Sequence, residues 1–237
     1  MLDNLKGKLN RYIHTNKIIK STFTILFFFY SAYLQLIPIY LFHIKRGNIT
    51  NQMQVYLSTF SSVVVAVVFL VMYYPDLKKE FHHYKKNFIE CMDSGVRWWL
   101  LGLFIMFASN LFITFVLHGG GANNEKTVQS MLDSVPLIMF LDAGILAPFN
   151  EEIVFRKSFR DVIKNKWVFA LLSFLVFGGA HVIFDASSFV DFLYIIPYGA
   201  LGGVFALAYD ETNTIFTSLS MHMIHNTILV LLSIFVL

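Results

Sequence analysis

Seven apolar runs divide the chain, and a shorter polar stretch separates each from the next. Each run is long enough for a helix that crosses a bilayer, which needs roughly 17 to 25 residues. The runs lie near residues 19–42, 53–74, 98–117, 136–156, 167–184, 189–208 and 214–236. This pattern predicts an all-α fold, a polytopic transmembrane helical bundle of about seven spans.

The composition supports a membrane protein. Hydrophobic residues make up 57% of the chain and charged residues 14%, whereas about 45 to 50% is apolar in soluble domains. We therefore expect a multi-pass protein of the cell membrane whose main surroundings are the lipid bilayer. The segment 78–86 interleaves lysines with aromatic residues, but a loop beside anionic lipid explains it better than binding to nucleic acid.

The distribution of positive charge predicts the orientation. Of the 18 Lys and Arg residues, 15 lie in the first 20 residues, in 75–97 and in 156–166. If the connecting segments alternate between the two sides, the positive-inside rule places the N-terminus in the cytoplasm. For the same reason we expect segment 157–166 to lie along the membrane interface.

A run of glycines and asparagines at residues 118–125 suggests a boundary, because these residues favour turns and flexible backbone. We expect an N-terminal membrane region with three spans at 1–117, an external linker at 118–135 and a four-helix core at 136–237. Most polar residues at membrane depth fall in the last of these regions.

The most unusual apolar run contains Glu151, Glu152 and Arg156. Adjacent residues on a helix point about 100° apart, so the two glutamates cannot both face one point and need different roles. Glu152 and Arg156 are at i and i+4 with the acid first, which favours an ion pair with a structural role. Glu151 then has no partner nearby in the sequence, and an isolated carboxyl group suits proton transfer.

Two later runs bring further polar groups to membrane depth. His222 and Asn226 are at i and i+4, so they share one helix face and can present two hydrogen-bonding groups to one small volume. His225 lies slightly round the same side and could replace His222, support it or be a bystander. His181 lies on the fifth predicted span, 167–184. Ionisable groups inside a membrane favour a functional site over simple interhelical packing.

Two other functions use the same residues. Glu151, His181 and His222, with His225 in reserve, offer enough ligands for zinc, although there is no His-Glu-x-x-His run. Buried Glu and His could also form the proton relay of a transporter, but no second half carries corresponding broken helices.

At these residues the sequence resembles the CPBP family, the CAAX-protease and bacteriocin-processing (Abi) membrane endopeptidases. Its three signatures appear in order as Glu151-Glu152-Ile-Val-Phe-Arg156, Phe177-Gly-Gly-Ala-His181 and His222-Met-Ile-His-Asn226. Each signature lies on its own predicted span, and the resemblance covers about 136–237. Lys157 departs from the family pattern, in which many members have glycine at that position.

The resemblance implies an intramembrane endopeptidase that hydrolyses a peptide bond of a membrane-associated protein or peptide. By it, Glu151 and His181 would activate a water, and His222 and Asn226 would donate hydrogen bonds to the oxyanion. Glu152 and Arg156 would support the site structurally, with Phe177 and His225 behind the catalytic groups. No metal or cofactor is expected, and zinc is the less favoured alternative. A non-enzymatic membrane scaffold or bacteriocin self-immunity protein, which binds a peptide or partner, is the other function considered.

The predicted spans leave one geometric difficulty. If they end at 156 and begin at 167, Glu151 and His181 differ in depth by roughly 12 Å at 1.5 Å per residue. Two residues of one site should lie closer together, so either the fourth span extends past 156 or the fifth begins after 167.

Overall fold

The structure, a computed structural model, describes residues 2–235, and of residues 2–15, 46, 123 and 124 it describes the backbone alone. Every regular element in this part of the chain is helical. The N-terminal half contains α1 (Leu2–Tyr30), α2 (Leu36–Leu41), α3 (Asn51–Lys86), α4 (Phe88–Phe115) and α5 (Asn123–Ser134). The C-terminal half contains α6 (Pro136–Leu141), α7 (Ala147–Glu152), α8 (Phe159–Val162), α9 (Lys166–Val182), α10 (Phe189–Phe192), α11 (Ile195–Thr212) and α12 (Ile215–Phe235).

Within residues 2–235, five helical stretches are long and apolar enough to cross a membrane. They are Asn16–Leu41, Asn51–Lys86, Phe88–Phe115, Phe189–Thr212 and Ile215–Phe235. The two remaining predicted spans are helical as well: α9 is a shorter apolar helix, and the run from α6 to α8 carries the charged residues. The all-α transmembrane class is confirmed, whereas the orientation of the N-terminus stays a prediction.

The main hydrophobic core forms around α3. Val65, Phe69, Tyr73 and Leu77 recur every fourth residue, so they lie along one face of this helix, and all are buried. That face packs against the segment Ile153–Ser158 and against residues of α9, α11 and α12. A helix of the N-terminal region therefore supports the helices that carry the candidate site. The division at 118–135 stays a prediction.

Glycines allow α9 and α11 to approach closely. A Cβ atom on Gly178 would lie 3.1 Å from the Cα of Gly199, and one on Gly202 would lie 2.8 Å from the carbonyl oxygen of Ser173. Such contacts are too short for a side chain, so larger residues would force the helices apart. This packing fixes the position of His181, which follows on α9.

The fourth predicted span is longer than expected. Helical structure continues from Pro136 to Val162, interrupted by two π-helical segments, and α9 begins at Lys166. The extension past residue 156 reduces the difference in depth between Glu151 and His181 from roughly 12 Å to roughly 6 Å at 1.5 Å per residue. The span boundary, set by hydrophobicity alone, was therefore wrong at this end.

The extension also changes the environment of segment 157–166. Lys157, Ser158 and Asp161 are buried, so this part packs against other helices, and its position at the membrane interface stays a prediction. Lys157 Nζ lies 2.9 Å from Glu80 Oε1 on α3, and this ion pair allows the charged residue to be buried. Hydrophobicity could not predict the change because the partner comes from a distant helix.

The external linker is more regular than expected. The glycine run does lack helical structure, and Gly121 has a positive φ of 82°, a conformation that glycine adopts readily. The following residues form α5, however, and Leu132 of this helix is buried against α3 and α12. The predicted linker 118–135 therefore contains a helix after the glycine run, and its external position stays a prediction.

Candidate active site

The helix that carries Glu151 and Glu152 is irregular on both sides of them. The short helix α7 contains both glutamates and lies between two π-helical segments, Asp142–Leu146 and Ile153–Ser158. Such segments are rare, occur frequently at functional sites and alter the direction of nearby side chains. The sequence gives no local signal for them, apart from Gly144 and Pro148.

Glu152 is completely buried and contacts two partners. Its Oε1 atom lies 2.9 Å from Nδ1 of His222 and 3.3 Å from Nη2 of Arg156. Neither Glu152 nor Arg156 has any exposed side-chain surface. The predicted ion pair is therefore present, and it also contacts the histidine of another helix.

Glu151 lies on the other side of the same imidazole ring. Its Oε2 atom is 3.6 Å from Nε2 of His222, and 15% of its side chain is exposed. The two glutamates face different points, as the sequence predicted. Each lies beside a different nitrogen of the same imidazole ring, that of His222. Of the two carboxyl groups, Glu151 is therefore the one that has exposed surface.

The protonation of His222 follows from its two neighbours. A carboxylate can only accept a hydrogen bond, so the contact between Nδ1 and Glu152 places a proton on Nδ1. Nε2 is then the nitrogen directed towards Glu151. When both nitrogens are protonated, Nε2 offers an N–H group to anything bound beside Glu151.

Arg156 is held mainly by aromatic rings. Its guanidinium carbon lies 4.7 Å from the ring centre of Phe177 and 5.7 Å from that of Phe205. Among the described residues its three guanidinium nitrogens make no hydrogen bond, although Glu152 lies within ion-pair distance. Cation–π contacts therefore provide much of its environment. Sequence reasoning did not identify Phe205.

His181 lies behind the ring of Phe177. The ring centre of Phe177 is 4.6 Å from that of His181 and 5.7 Å from that of His222. Nδ1 of His181 lies 2.8 Å from the carbonyl oxygen of Phe177, so this nitrogen carries the proton and Nε2 is the free acceptor. Within residues 2–235 no hydrogen bond or ion pair joins His181 to Glu151.

Asn226 has a defined partner in the first π-helical segment. Its Nδ2 atom donates to the carbonyl oxygen of Ala143 at 2.9 Å. The side chain therefore faces the same helix as His222, as the shared face predicted. An amide carries two N–H groups, so one hydrogen remains for another acceptor.

His225 points away from the glutamates. Its Nδ1 atom accepts a hydrogen bond from the indole N–H of Trp99 on α4 at 3.4 Å, and the residue is buried. Of the three roles left open, this contact fits packing between α12 and α4 best. Sequence reasoning did not identify Trp99, whose partner is distant along the chain.

The zinc ligand set is not assembled. Across the described residues no three His, Cys, Asp or Glu side chains are grouped as a metal ion requires. His222 has carboxylates beside both nitrogens, and the ring of Phe177 contacts both His181 and His222. The alternative ligands Glu151, His181 and His222 thus do not meet at one point.

Comparison with known proteins finds a family model that resembles part of the chain. Residues 133–228 match the family model of the type II CAAX prenyl endopeptidase Rce1-like proteins. The C-terminal region of this chain is therefore similar to CAAX-protease-like membrane proteins of the CPBP family. The matched part contains Glu151, Glu152, Arg156, His181, His222 and Asn226.

Three bacterial relatives agree with this assignment. The chain is 31% identical over 147 residues to YdiL of Bacillus subtilis, a match covering 58% of this chain and 56% of YdiL. It is 28% identical to the membrane-embedded CAAX protease MroQ of Staphylococcus aureus, covering 57% of both chains. It is 26% identical to YxdF of Lactococcus lactis, covering 59% of this chain and 78% of that one. The match thus spans little more than half of YdiL and MroQ. No solved structure matches the chain.

Proposed function

We propose that this protein is an intramembrane endopeptidase that hydrolyses a peptide bond of a membrane-associated protein or peptide. The observation that carries the proposal is the arrangement of Glu151, Glu152 and Arg156 around His222. It combines one carboxyl group with exposed surface and a second that is fully buried and fixed. Similarity of residues 133–228 to the Rce1-like CAAX prenyl endopeptidases supports the same reaction class.

In the proposed mechanism Glu151 acts as the general base. Its exposed oxygen accepts a proton from a water, which then attacks the carbonyl carbon of the substrate. The proton is later delivered to the nitrogen of the leaving amine, so the glutamate is restored. We assign His181 to holding this water with its free Nε2 atom, a role that requires a path around Phe177.

The oxyanion of the tetrahedral intermediate needs hydrogen-bond donors. We assign this role to Nε2–H of His222 and to the remaining N–H of Asn226. Glu152 and Arg156 hold the His222 ring, because Glu152 accepts from Nδ1 and Arg156 offsets the charge of Glu152. No step in this scheme requires a metal ion.

The test compares wild-type protein with Glu151→Gln. The variant keeps the shape of the side chain but removes the base, so we expect normal abundance in the membrane and at least a 100-fold loss of peptide cleavage. Comparison of membrane-peptide profiles from cells with each form identifies the substrate. The matched control is Glu90→Gln, which changes an exposed glutamate on α4 and should leave the profile unchanged.

The same experiment separates the enzyme from a scaffold or immunity protein. A protein that only binds a peptide or partner keeps its cellular effect when Glu151 becomes glutamine, since the shape of the cavity is retained. Full function of Glu151→Gln at normal abundance would overturn the proposed peptidase.

A further inference from the structure

A group of polar residues outside the proposed catalytic set lies between α3 and the helix of Glu151. Asp142 begins the first π-helical segment and is only 8% exposed. Its Oδ2 atom accepts a hydrogen bond from the Thr59 hydroxyl at 3.2 Å, whereas its Oδ1 atom has no partner among the described residues. The carboxyl group is therefore buried with half of its hydrogen-bonding capacity unused.

Asn150 repeats this arrangement directly before Glu151. It is 3% exposed, and its Nδ2 atom donates to the carbonyl oxygen of Ser62 at 3.0 Å. Its Oδ1 atom is likewise buried without a partner among the described residues. The Ser62 side chain is also close to the Asp142 carboxyl group, without a hydrogen bond to its Oδ1 atom, so Ser62 connects the two residues.

Packing alone does not account for this arrangement. A buried acceptor without a donor costs about 1 to 3 kcal/mol, so polar groups that serve only to join helices are normally satisfied. Here two acceptors on one helix lack donors, and both belong to side chains held by α3. Thr59 and Ser62 are one turn apart and only half-buried, so this turn of α3 presents polar groups.

Water is the donor that fits these oxygens. A buried water requires a polar site with two to four partners, and the contact between these helices supplies carboxyl, amide and hydroxyl groups. Hydrolysis also requires water at Glu151, in a protein whose other surroundings are apolar. Asn150 directly precedes Glu151 on α7, so it lies at the same depth although its side chain points about 100° away.

We propose that Thr59, Ser62, Asp142 and Asn150 line a hydrated track that supplies water to Glu151. The assignment of water to hydrolysis rests on the proposed peptidase function, but the hydration itself does not. Asp142 and Asn150 act as positioning residues for water, and neither is assigned contact with the substrate. The track lies on the side of the site formed by α3, which belongs to the N-terminal region.

Hydration can be tested with water itself as the probe. Cys91 is the only cysteine, so a Cys91→Ala background leaves a single thiol in the variant Ser62→Cys. Infrared spectroscopy of the full chain in lipid then follows exchange of S–H to S–D after transfer to heavy water. The matched control is Val65→Cys, which places the thiol one turn later on α3 within the apolar core.

We expect the thiol of Ser62→Cys to exchange at least tenfold faster than that of Val65→Cys. Thr59→Cys provides a second position, which should also exchange rapidly if Ser62→Cys does not accumulate. Exchange at both track positions as slow as at Val65→Cys would overturn the proposal. This readout needs no catalysis, so it stands even if Glu151→Gln shows that the protein is not a peptidase.

The link to catalysis is tested with Asp142→Leu and Asp142→Asn. Leucine removes the polar group, so we expect slower exchange at Ser62→Cys and at least a tenfold lower kcat with KM unchanged. Asparagine keeps an acceptor and should restore most of both. Ser58→Ala is the control, because the Ser58 hydroxyl bonds within its own helix to the carbonyl oxygen of Val55. Fast exchange with unchanged kcat in Asp142→Leu would remove the track from the reaction.

Discussion

Two neighbouring positive charges, Arg156 and Lys157, are buried in different ways. Arg156 belongs to a carboxylate–histidine cluster, defined here as Glu151, Glu152, Arg156 and His222, and its nitrogens make no hydrogen bond within the described chain. Lys157 belongs to a Lys157 cluster, defined as Glu80, Lys157 and Asp161, in which its amino group has two carboxylates at 2.9 and 3.6 Å. The amino group of Lys157 thus has two carboxylate partners, whereas the guanidinium group of the adjacent Arg156 makes no hydrogen bond in the described chain.

The Lys157 cluster is connected to several helices. Glu80 Oε2 accepts the backbone N–H of Ile215 at 2.8 Å, which holds the start of α12, and Asp161 also contacts Lys17 of α1 at 3.3 Å. These contacts fix helix positions. The carboxylate–histidine cluster instead keeps one carboxyl group with exposed surface and unused donors on Arg156, which are features that a site for water and substrate requires. Burial of a charged group therefore does not by itself identify a catalytic group.

The largest effect is expected for Arg156→Met. Loss of the guanidinium leaves the fully buried Glu152 without its cationic partner, and removal of one member of a buried pair costs about 3 to 5 kcal/mol. We expect strongly reduced accumulation in the membrane, measured by immunoblotting and by thermal unfolding in detergent. The control is Arg160→Met, because Arg160 is half-buried and pairs with Asp210, so the loss should be smaller. Normal accumulation of Arg156→Met would contradict the structural role of the pair.

The second prediction concerns Asn226→Ala in the proposed oxyanion site. Loss of one donor to an oxyanion lowers kcat by about 100-fold or more, equivalent to roughly 3 kcal/mol. We expect this loss with near-normal abundance, measured as turnover of the peptide identified with Glu151→Gln. Asn226→Asp has the same shape but no N–H group and should be equally inactive. If Asn226→Asp were active, Asn226 would serve only to bind the Ala143 carbonyl.

The third prediction concerns Glu80→Gln in the Lys157 cluster, which should lower stability more than activity. Glutamine still accepts the N–H of Ile215 but leaves Lys157 with only the Asp161 carboxylate, so we expect a loss of about 1.5 to 3 kcal/mol of stability. Activity per folded molecule should change less than twofold. Thermal unfolding measures the loss of stability, and turnover of purified protein measures the activity. Asp76→Asn, which affects the more exposed pair with Lys20, should change stability by about 1 kcal/mol or less.

If fully folded Glu80→Gln showed a large fall in kcat, the Lys157 cluster would affect catalysis as well as structure. Such a result would show that the Lys157 cluster controls the register of α12, and with it the position of His222.

The smallest effect is expected for His225→Ala. Its imidazole accepts from Trp99 and does not contact the glutamates, so turnover should fall by less than about fivefold while stability falls modestly. A zinc site that used His225 would instead make the residue essential. Elemental analysis of purified protein and the activity of His225→Ala measure the two alternatives together. One zinc per chain with inactive His225→Ala would return this histidine to the site.

The sequence determined the class of the fold and the membership of the candidate site. Long apolar runs require helices in a bilayer because backbone groups must be satisfied within each segment. The spacing of Glu152 and Arg156 also sufficed for their ion pair, because residues at i and i+4 are neighbours on any helix. These features depend on local geometry, which the sequence alone specifies.

Only the tertiary structure decided how the local patterns meet. The i and i+4 rule could not show that His222 lies between two adjacent glutamates, because that contact joins α7 to α12 and depends on two π-helical segments. Nor could hydrophobicity show that the fourth span continues to Val162, since Lys157 becomes buried only through Glu80 of α3. A charge inside a membrane is stable or costly according to its partners, and those partners lie far away in the sequence.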